Sequence, residues 1–160
     1  MSDWRVGYGT DLHRLTPGRP LLIGGLAIES PVGSDAHSDG DVLLHALVDA
    51  LLGALALGDI GDHFPPSDPQ WAGADSSCFV AHALKLISKA GYRVGNVDAT
   101  VHLEAPKLYP HKQTIRELLA CLLEIPVEQV SFKAKTGEGL APIGTGDAIA
   151  ASVTVLARKG

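Results

Sequence analysis

Residues 41–57, with the sequence DVLLHALVDALLGALAL, form the most apolar stretch of the chain and decide its fold. Large apolar residues recur there every three or four positions, which is the spacing of one helix face: Leu44, Leu47, Leu51 and Leu55. Asp39 or Asp41 is placed to cap the start of this helix. The stretch contains His45 and falls short of the ~20 apolar residues that cross a bilayer. We therefore expect a buried helix in a soluble protein.

Strand and helix patterns alternate on both sides of this helix. We expect strands at 5–9, at 21–28 with a turn at Gly24-Gly25, at 93–103 and at 130–135, and helices at 75–89 and 110–124. Residues 59–73 are rich in Gly, Pro and Asp and predict a surface loop, and 137–146 predict a Gly-rich turn. The tail at 148–156 fits either a helix or a strand. The alternation predicts an α+β fold with one sheet and one layer of helices.

The composition is that of a single domain spanning residues 1–160. The chain has 160 residues and 16.7 kDa, with 46% hydrophobic and 19% charged residues, which supplies a core and excludes a disordered polymer. Its net charge of −5 argues against a nucleic-acid partner. Cys78 and Cys121 lie far apart, as expected of buried thiols in a reducing compartment. The start, Met-Ser-Asp-Trp-Arg, has no apolar signal core, so we expect a cytoplasmic protein without a membrane partner.

Acidic residues are concentrated where basic residues are missing. No Lys or Arg lies between Arg19 and Lys85, yet that segment holds nine carboxylates: Glu29, Asp35, Asp39, Asp41, Asp49, Asp59, Asp62, Asp68 and Asp75. Some of them can serve as helix caps or as solvated loop residues. Crowded carboxylates repel one another, and a bound metal ion is one way to relieve that repulsion.

Asp11 and His13 are candidate metal ligands. In an extended segment, side chains two positions apart point to the same face, so this carboxylate and imidazole are expected side by side. His45 offers a second imidazole, and one carboxylate with two imidazoles matches a catalytic zinc site whose fourth position is open. Asp49 follows one helical turn later, where it is placed to orient the other ring nitrogen of His45. On spacing alone, an Asp-x-His pair at a strand end is more often just polar surface.

The segment from Ala36 to Asp41, AHSDGD, strengthens the metal hypothesis. It places two carboxylates, a hydroxyl and an imidazole directly before the helix that carries His45. The free N–H groups at a helix start favour phosphate. A capped turn explains the aspartates equally well, but it gives no structural duty to His37 and Ser38.

These motifs resemble the 2-C-methyl-D-erythritol 2,4-cyclodiphosphate synthase family of the non-mevalonate isoprenoid pathway. The resemblance rests on Asp11-Leu12-His13 together with the pattern A-H-S-D-G-D-x-x-x-H that ends at His45. It continues in order through 49–53, 57–61, Phe64-Pro65, 67–69, 95–98, 105–107 and 133–138. It covers nearly the whole chain, and the joint occurrence of the two motifs is highly specific.

The resemblance implies a homotrimer in which helices pack on one face of a single mixed sheet and the active sites lie between subunits. It implies a phosphorus–oxygen lyase acting on a small cytidine diphosphate substrate, 4-diphosphocytidyl-2-C-methyl-D-erythritol 2-phosphate. The 2-phosphate attacks the β-phosphate, which gives 2-C-methyl-D-erythritol 2,4-cyclodiphosphate and CMP. Because the nucleophile is already an anion, catalysis is expected to rest on positioning and electrostatic stabilisation.

The same resemblance implies roles for individual residues. Zinc would be held by Asp11, His13 and His45, and magnesium or manganese by Glu138. His37 and Thr136 would stabilise the transition state. The implied substrate contacts are Asp11, Leu12, His13, His37, Ser38, Asp59, Ile60, Gly61, Phe64, Pro65, Pro66, Ser67, Asp68, Leu103, Glu104, Ala105, Pro106, Lys107, Leu108, Tyr109, Lys135, Thr136, Gly137 and Glu138. Within this set, 64–68 would close over the sugar-alcohol end and 103–109 would form the cytidine pocket.

Simpler explanations exist for some of these residues. Asp59 also suits a turn, and Lys107 and Lys135 also suit a solvated surface. His63, His82, His102 and His111 match no catalytic position of the family, so we interpret them as structural or surface residues.

The chain departs from the family pattern near its end. Many members have a Phe and a phosphate-binding Arg where this chain has Pro142 and Thr145, and Lys135 stands where many have Thr. In some members that Arg accompanies an isoprenoid diphosphate bound on the trimer axis. Without the Arg, this extra site loses a phosphate ligand, whereas the catalytic set is complete.

Two other functions fit the candidate ligands. In a zinc phosphohydrolase the same three residues would activate water. In a non-enzymatic trimer they would only stabilise the fold, but a structural zinc usually has four protein ligands and residues 103–109 would then have no explanation.

Overall fold

The computed structural model describes residues 3–160, and one mixed sheet dominates it. The strands of the described chain are β1 (Trp4–Pro17), β2 (Leu21–Ile23), β3 (Leu26–Ile28), β4 (Val32–Asp35), β5 (Tyr92–His102), β6 (Val130–Lys135) and β7 (Ala148–Lys159). Five of them form the sheet in the order β4-β1-β7-β5-β6, and β2 pairs with β3. Only the β5–β6 pair of this sheet is parallel among the described residues, so the predicted mixed sheet is confirmed. Met1 and Ser2, which belong to the start interpreted as lacking a signal core, lie outside the described residues.

The helices cover one face of this sheet. They are α1 (Val42–Ala54), the short α2 (Ile60–His63), α3 (Ser77–Lys89) and α4 (Lys112–Leu123). α1 packs on β1 and β7, α3 on β5, and α4 on β6. The strand residues that face them are buried, as at Val97, Ile149 and Val153. On the other face of β1, Val6 and Tyr8 are exposed, at 67% and 63%.

Asp41, and not Asp39, is the N-cap of α1. The Asp41 carboxylate is fully buried and accepts hydrogen bonds from the N–H groups of Leu44, Gly24 and Gly25. It therefore caps the helix and also fixes the turn between β2 and β3. Burial raises the pKa of this carboxyl, although the three N–H donors oppose that effect.

Two glycines let α1 lie directly on β1. A Cβ atom at Gly7 would stand 1.7 Å from the carbonyl oxygen of Ala50, and one at Gly9 would stand 2.1 Å from that of Ala46. No larger residue fits without moving the helix. This close approach places His45, the neighbour of Ala46, over the part of β1 that follows Gly9.

Two strands, β1 and β7, are longer than their local patterns predict. β1 runs for 14 residues rather than the predicted five because β7 pairs with it from Trp4 to Arg14. The tail is the strand β7 and not a helix, because it lies between β1 and β5 and pairs with both. Pairing across the sheet, which no local pattern contains, decides both cases.

Some helices and loops also differ from the expectations. The predicted loop at 59–73 contains α2 and a 3-10 turn at Pro69–Trp71, whose starts are capped by Asp59 and Asp68. Pro110 lies in a separate 3-10 turn, Tyr109–His111, before α4 begins. Contrary to the expectation of buried thiols, both cysteines are free and exposed. No helix within residues 3–160 is long and apolar enough to cross a membrane.

Candidate metal centre and active site

Three predicted ligands meet where β1 passes under the first turn of α1. Asp11 and His13 lie on the same face of β1, and His45 comes down from the helix. The Asp11 Oδ2 atom lies 2.8 Å from His13 Nε2 and 3.0 Å from His45 Nδ1. Within residues 3–160, these three residues form the one group of His, Cys, Asp or Glu whose ligand atoms all lie within 4.8 Å of one another. The structure therefore contains a candidate metal-binding triad.

The donor set of this triad fits a metal ion. The Nδ1 atom of His13 lies 3.2 Å from the carbonyl oxygen of Gly40, so that nitrogen carries a proton, and Nε2 is the ring nitrogen that faces Asp11. A ring nitrogen and a carboxylate oxygen about 3 Å apart are held together by a positive charge, either a proton on the imidazole or a bound cation. One carboxylate with two imidazoles is a ligand set that suits zinc.

Electrostatics within the triad favour the ionised carboxylate. Burial alone would raise the pKa of Asp11, but the hydrogen bonds and positive charge of His13 and His45 hold it well below its usual range. Burial alone would lower the pKa of His13, whereas Asp11 and the Gly40 carbonyl raise it above its usual value. The carboxyl group of Asp11 is thus ionised at neutral pH, as a metal ligand must be.

Asp49 does not orient His45, contrary to the prediction. Its carboxylate accepts a hydrogen bond of 2.7 Å from the backbone N–H of Ile60, because the start of α2 returns to α1 at this point. The outer nitrogen of His45, Nε2, instead lies 2.9 Å from the hydroxyl of Ser76 and 3.0 Å from that of Ser38. Ser76 was missed because the helix was predicted to begin at residue 75, and a serine in its first turn gives no sign of a contact with His45.

A cavity of about 260 Å³ opens beside the triad. Predicted residues that line it are His13, His37, Ser38, His45, Ile60, Gly61, Phe64 and Pro66. Trp71 and Phe79 also line it and were missed, because Trp71 lies in the predicted surface loop and Phe79 looks like a core residue of the predicted helix. The rings of Phe64 and Phe79 lie 4.4 Å apart and those of Phe64 and Trp71 lie 5.1 Å apart, so they form an apolar wall.

Other predicted residues lie outside that lining. Asp59 and Asp62 form a reciprocal cap of α2, which matches the simpler explanation for Asp59. Asp68 accepts hydrogen bonds from Gln70. The side chain of Leu12 is 60% exposed and lies on the face of β1 opposite Asp11. Pro65 and Ser67 contribute no side chain to the cavity.

A second cavity, of about 130 Å³, lies at the far edge of the sheet. The predicted residues around it are Leu103, Lys107, Leu108, Tyr109, Lys135 and Thr136. The carboxylate of Glu104 accepts a hydrogen bond of 2.8 Å from Gly137 N–H, which ties the predicted cytidine segment to the turn after β6. In that turn the Thr136 hydroxyl donates to the exposed Glu138 carboxylate at 3.1 Å.

The two cavities are separate within one chain. The triad lies on β1 and on the first turn of α1, whereas Thr136 and Glu138 follow β6, and β7 and β5 lie between β1 and β6. Neighbouring strands are about 4.8 Å apart, so the two groups are separated by roughly 14 Å along the sheet. One chain therefore brings most of the predicted site residues together as two separate groups.

The fold and the site together define an α+β protein with a carboxylate–imidazole triad set beside a cavity at a helix start. The chain belongs to the YgbB family, whose model matches residues 4–158. It is 53% identical over 160 residues to the 2-C-methyl-D-erythritol 2,4-cyclodiphosphate synthase of Thermosynechococcus vestitus, covering 100% of this chain and 99% of that protein. It is also 53% identical over 156 residues to the chloroplastic synthase of Arabidopsis thaliana, covering 98% of this chain and 68% of that one.

Solved structures agree with this membership. A 2C-methyl-D-erythritol-2,4-cyclodiphosphate synthase in its CDP-bound form superposes with a TM-score of 0.89 at 44% identity, covering 96% of this chain and 99% of that one. The CDP complex of Plasmodium falciparum IspF superposes with a TM-score of 0.87 at 34% identity, covering 99% of each chain.

Proposed function

We propose that this chain converts 4-diphosphocytidyl-2-C-methyl-D-erythritol 2-phosphate into 2-C-methyl-D-erythritol 2,4-cyclodiphosphate and CMP. An oxygen of the 2-phosphate bonds to the β-phosphorus, and the bond from that phosphorus to the bridging oxygen of CMP breaks. The reaction is formally that of a phosphorus–oxygen lyase and belongs to the non-mevalonate isoprenoid pathway. The observation that carries the proposal is the convergence of Asp11, His13 and His45 beside a cavity in a member of this family.

The metal assignment follows from the donor set. Asp11, His13 and His45 would hold zinc, which supplies positive charge to a phosphate oxygen when bound. The exposed carboxylate of Glu138 would hold magnesium or manganese, which prefer oxygen ligands.

The chain's own residues would position the phosphates and spread their charge. His37 and Ser38 line the cavity next to the start of α1, where an imidazole and a hydroxyl can donate to phosphate oxygens. Thr136 would donate a hydroxyl proton in the same way from its turn. The wall of Phe64, Trp71 and Phe79 would exclude water, so that the 2-phosphate and not a water oxygen reaches the β-phosphorus.

The separation of the two cavities supports an active site shared between subunits. One diphosphate is too short to contact both Asp11 and Glu138 of a single chain across roughly 14 Å of sheet. A neighbouring copy would supply the Thr136–Glu138 turn and the cytidine pocket at 103–109. We propose a homotrimer assembled through the outer face of the sheet, and we expect it in the cytoplasm.

A substrate lacking the 2-phosphate tests the proposed reaction. The synthase should release CMP much faster from the complete substrate than from 4-diphosphocytidyl-2-C-methyl-D-erythritol, because the latter has only neutral hydroxyl groups in place of the anionic 2-phosphate nucleophile. Chromatography of released CMP measures both. Equal rates of CMP release from the two compounds would show that the 2-phosphate is not the nucleophile and would contradict the proposal.

A further inference from the structure

His45 connects the metal triad to a buried polar network on another element. Its Nε2 atom faces away from Asp11 and lies 2.9 Å from the hydroxyl of Ser76. Ser76 is 0% exposed and stands directly before α3. The second residue of this network, Asp39, belongs to the loop before α1. The outer side of His45 is thus held by groups that take no part in the triad.

Asp39 determines the direction of the hydrogen bonds in this network. Its two carboxylate oxygens accept hydrogen bonds from the Ser76 hydroxyl and from the Ser76 backbone N–H. A carboxylate has no proton to give, so the one hydroxyl proton of Ser76 points to Asp39. The Ser76 oxygen then offers only lone pairs to His45, and the contact at 2.9 Å requires a proton on His45 Nε2.

A proton on Nε2 leaves the other ring nitrogen free. In the neutral imidazole, Nδ1 then carries the lone pair, and this is the atom that lies 3.0 Å from Asp11 Oδ2. The Ser38 hydroxyl also lies 3.0 Å from Nε2, but no carboxylate holds its proton, so it accepts or donates equally well. Of these two hydroxyl groups, only that of Ser76 has a fixed hydrogen-bond direction.

We propose that Asp39 and Ser76 are positioning residues that hold His45 in the tautomer that binds metal. The inference rests on the metal centre proposed above. The far nitrogen of a ligating histidine is commonly held by such a partner, which fixes both the tautomer and the ring orientation. For His13 the partner is the Gly40 carbonyl; for His45 it is the pair formed by Ser76 and Asp39.

Zinc affinity measured without turnover tests this role. Ser76→Ala should raise the zinc dissociation constant of the full-length protein by about 10- to 100-fold, measured by competition with a chromogenic chelator. Ser76→Thr, which keeps the hydroxyl, should restore much of the affinity. Ser77→Ala is the matched control, because it removes a neighbouring hydroxyl outside the network and should leave zinc affinity unchanged.

A double-mutant cycle tests whether Asp39 acts through Ser76. Asp39→Ala should weaken zinc binding in the unaltered protein but add little in the Ser76→Ala background. In the zinc-loaded protein labelled with 15N-histidine, the Nε2 proton of His45 should exchange faster with solvent in Ser76→Ala than in Ser77→Ala. If Ser76 had a purely structural role, replacing it would not selectively speed the exchange of this proton.

The outcomes separate this inference from the function on which it rests. If the unaltered chain binds zinc while Ser76→Ala binds it as tightly as Ser77→Ala does, the inference is overturned and the proposed reaction is unaffected. Additive effects of Asp39→Ala and Ser76→Ala would also overturn it. If the unaltered chain binds no zinc, both the metal centre and the inference are wrong.

Discussion

Asp11 is the residue on which the candidate metal centre depends. One of its oxygens faces both imidazoles, and their hydrogen bonds keep its carboxyl ionised against the effect of burial. A triad of this kind has no redundancy, because each residue supplies one ligand atom. Loss of any one leaves two ligands, which is too few for a tetrahedral catalytic zinc site.

We expect Asp11→Ala, His13→Ala and His45→Ala each to abolish zinc binding and turnover while the protein stays assembled. Metal analysis after gel filtration, together with CMP release, measures both effects. Asp49→Asn is the matched control: its carboxylate lies close to the triad but holds Ile60 N–H, so this variant should keep its zinc. Full turnover with stoichiometric zinc in any of the three alanine variants would contradict the site.

Glu138 is expected to act on the second cation only. Glu138→Gln keeps the shape of the side chain but removes the negative charge that would hold magnesium or manganese. Turnover should fall at low magnesium and recover in part as magnesium is raised, with zinc content unchanged. Rates titrated against magnesium measure this. An unchanged magnesium dependence would show that Glu138 is not the ligand.

The sequence was sufficient to find the triad but not the groups around it. Asp11 and His13 are two positions apart on a strand, and His45 lies in the first turn of a clearly periodic helix, so local spacing already puts each on a defined face. Ser76 lies 31 positions from His45 in the chain, and only the packing of α3 against α1 brings them together. The prediction that Asp49 orients His45 is wrong because spacing along a helix does not reveal its neighbours in other elements. The start of α2 returns to α1, and its Ile60 N–H binds the Asp49 carboxylate.

At the scale of elements, the contact between α1 and β1 positions the three residues of the triad. Gly7 and Gly9 allow the helix backbone to touch the strand, and Asp41 fixes where the helix begins. The helix was predictable from its leucine spacing and its cap. The full length of β1 and the strand character of β7 were not, because both come from pairing between the two ends of the chain.

Gly9→Ala should push α1 away from β1. The new Cβ atom would lie 2.1 Å from the Ala46 carbonyl oxygen, so we expect a loss of about 1–3 kcal/mol in the free energy of unfolding and weaker zinc binding. Urea unfolding at a fixed protein concentration measures the first effect, and chelator competition measures the second.

Gly53→Ala, in the same helix, is the control for that substitution. Its Cβ atom would meet only the Tyr8 carbonyl oxygen, at an ordinary 3.8 Å, so the variant should gain about 0.5–1 kcal/mol. Equal stabilities of Gly9→Ala and Gly53→Ala would show that the close approach does not position the helix.

At the scale of the whole molecule, the two faces of the sheet differ sharply. One face is buried under helices, whereas the other exposes Trp4, Val6, Tyr8 and Leu12 at 53%, 67%, 63% and 60%. A row of large apolar side chains on one strand is typical of a surface that contacts another protein chain. Together with the two separated cavities, it supports the proposed trimer.

Val6→Lys should disrupt that assembly. A charge in the middle of the outer face would have to be buried without a partner, which strongly opposes association. Gel filtration with light scattering should show the mass falling from three chains of 16.7 kDa toward one, and turnover should fall with it. Glu117→Lys, on the helical side, is the control and should leave the mass unchanged. An active Val6→Lys monomer would contradict a shared active site.

Phosphorus NMR of the reaction in 18O-enriched water tests the central claim most directly. The cyclodiphosphate synthase reaction uses the substrate's own 2-phosphate, so the products should be CMP and a cyclic diphosphate, neither of them carrying 18O from the solvent. An uncyclised product with 18O on its terminal phosphate would instead show attack by water. That result would contradict the proposed function while leaving the metal triad in place.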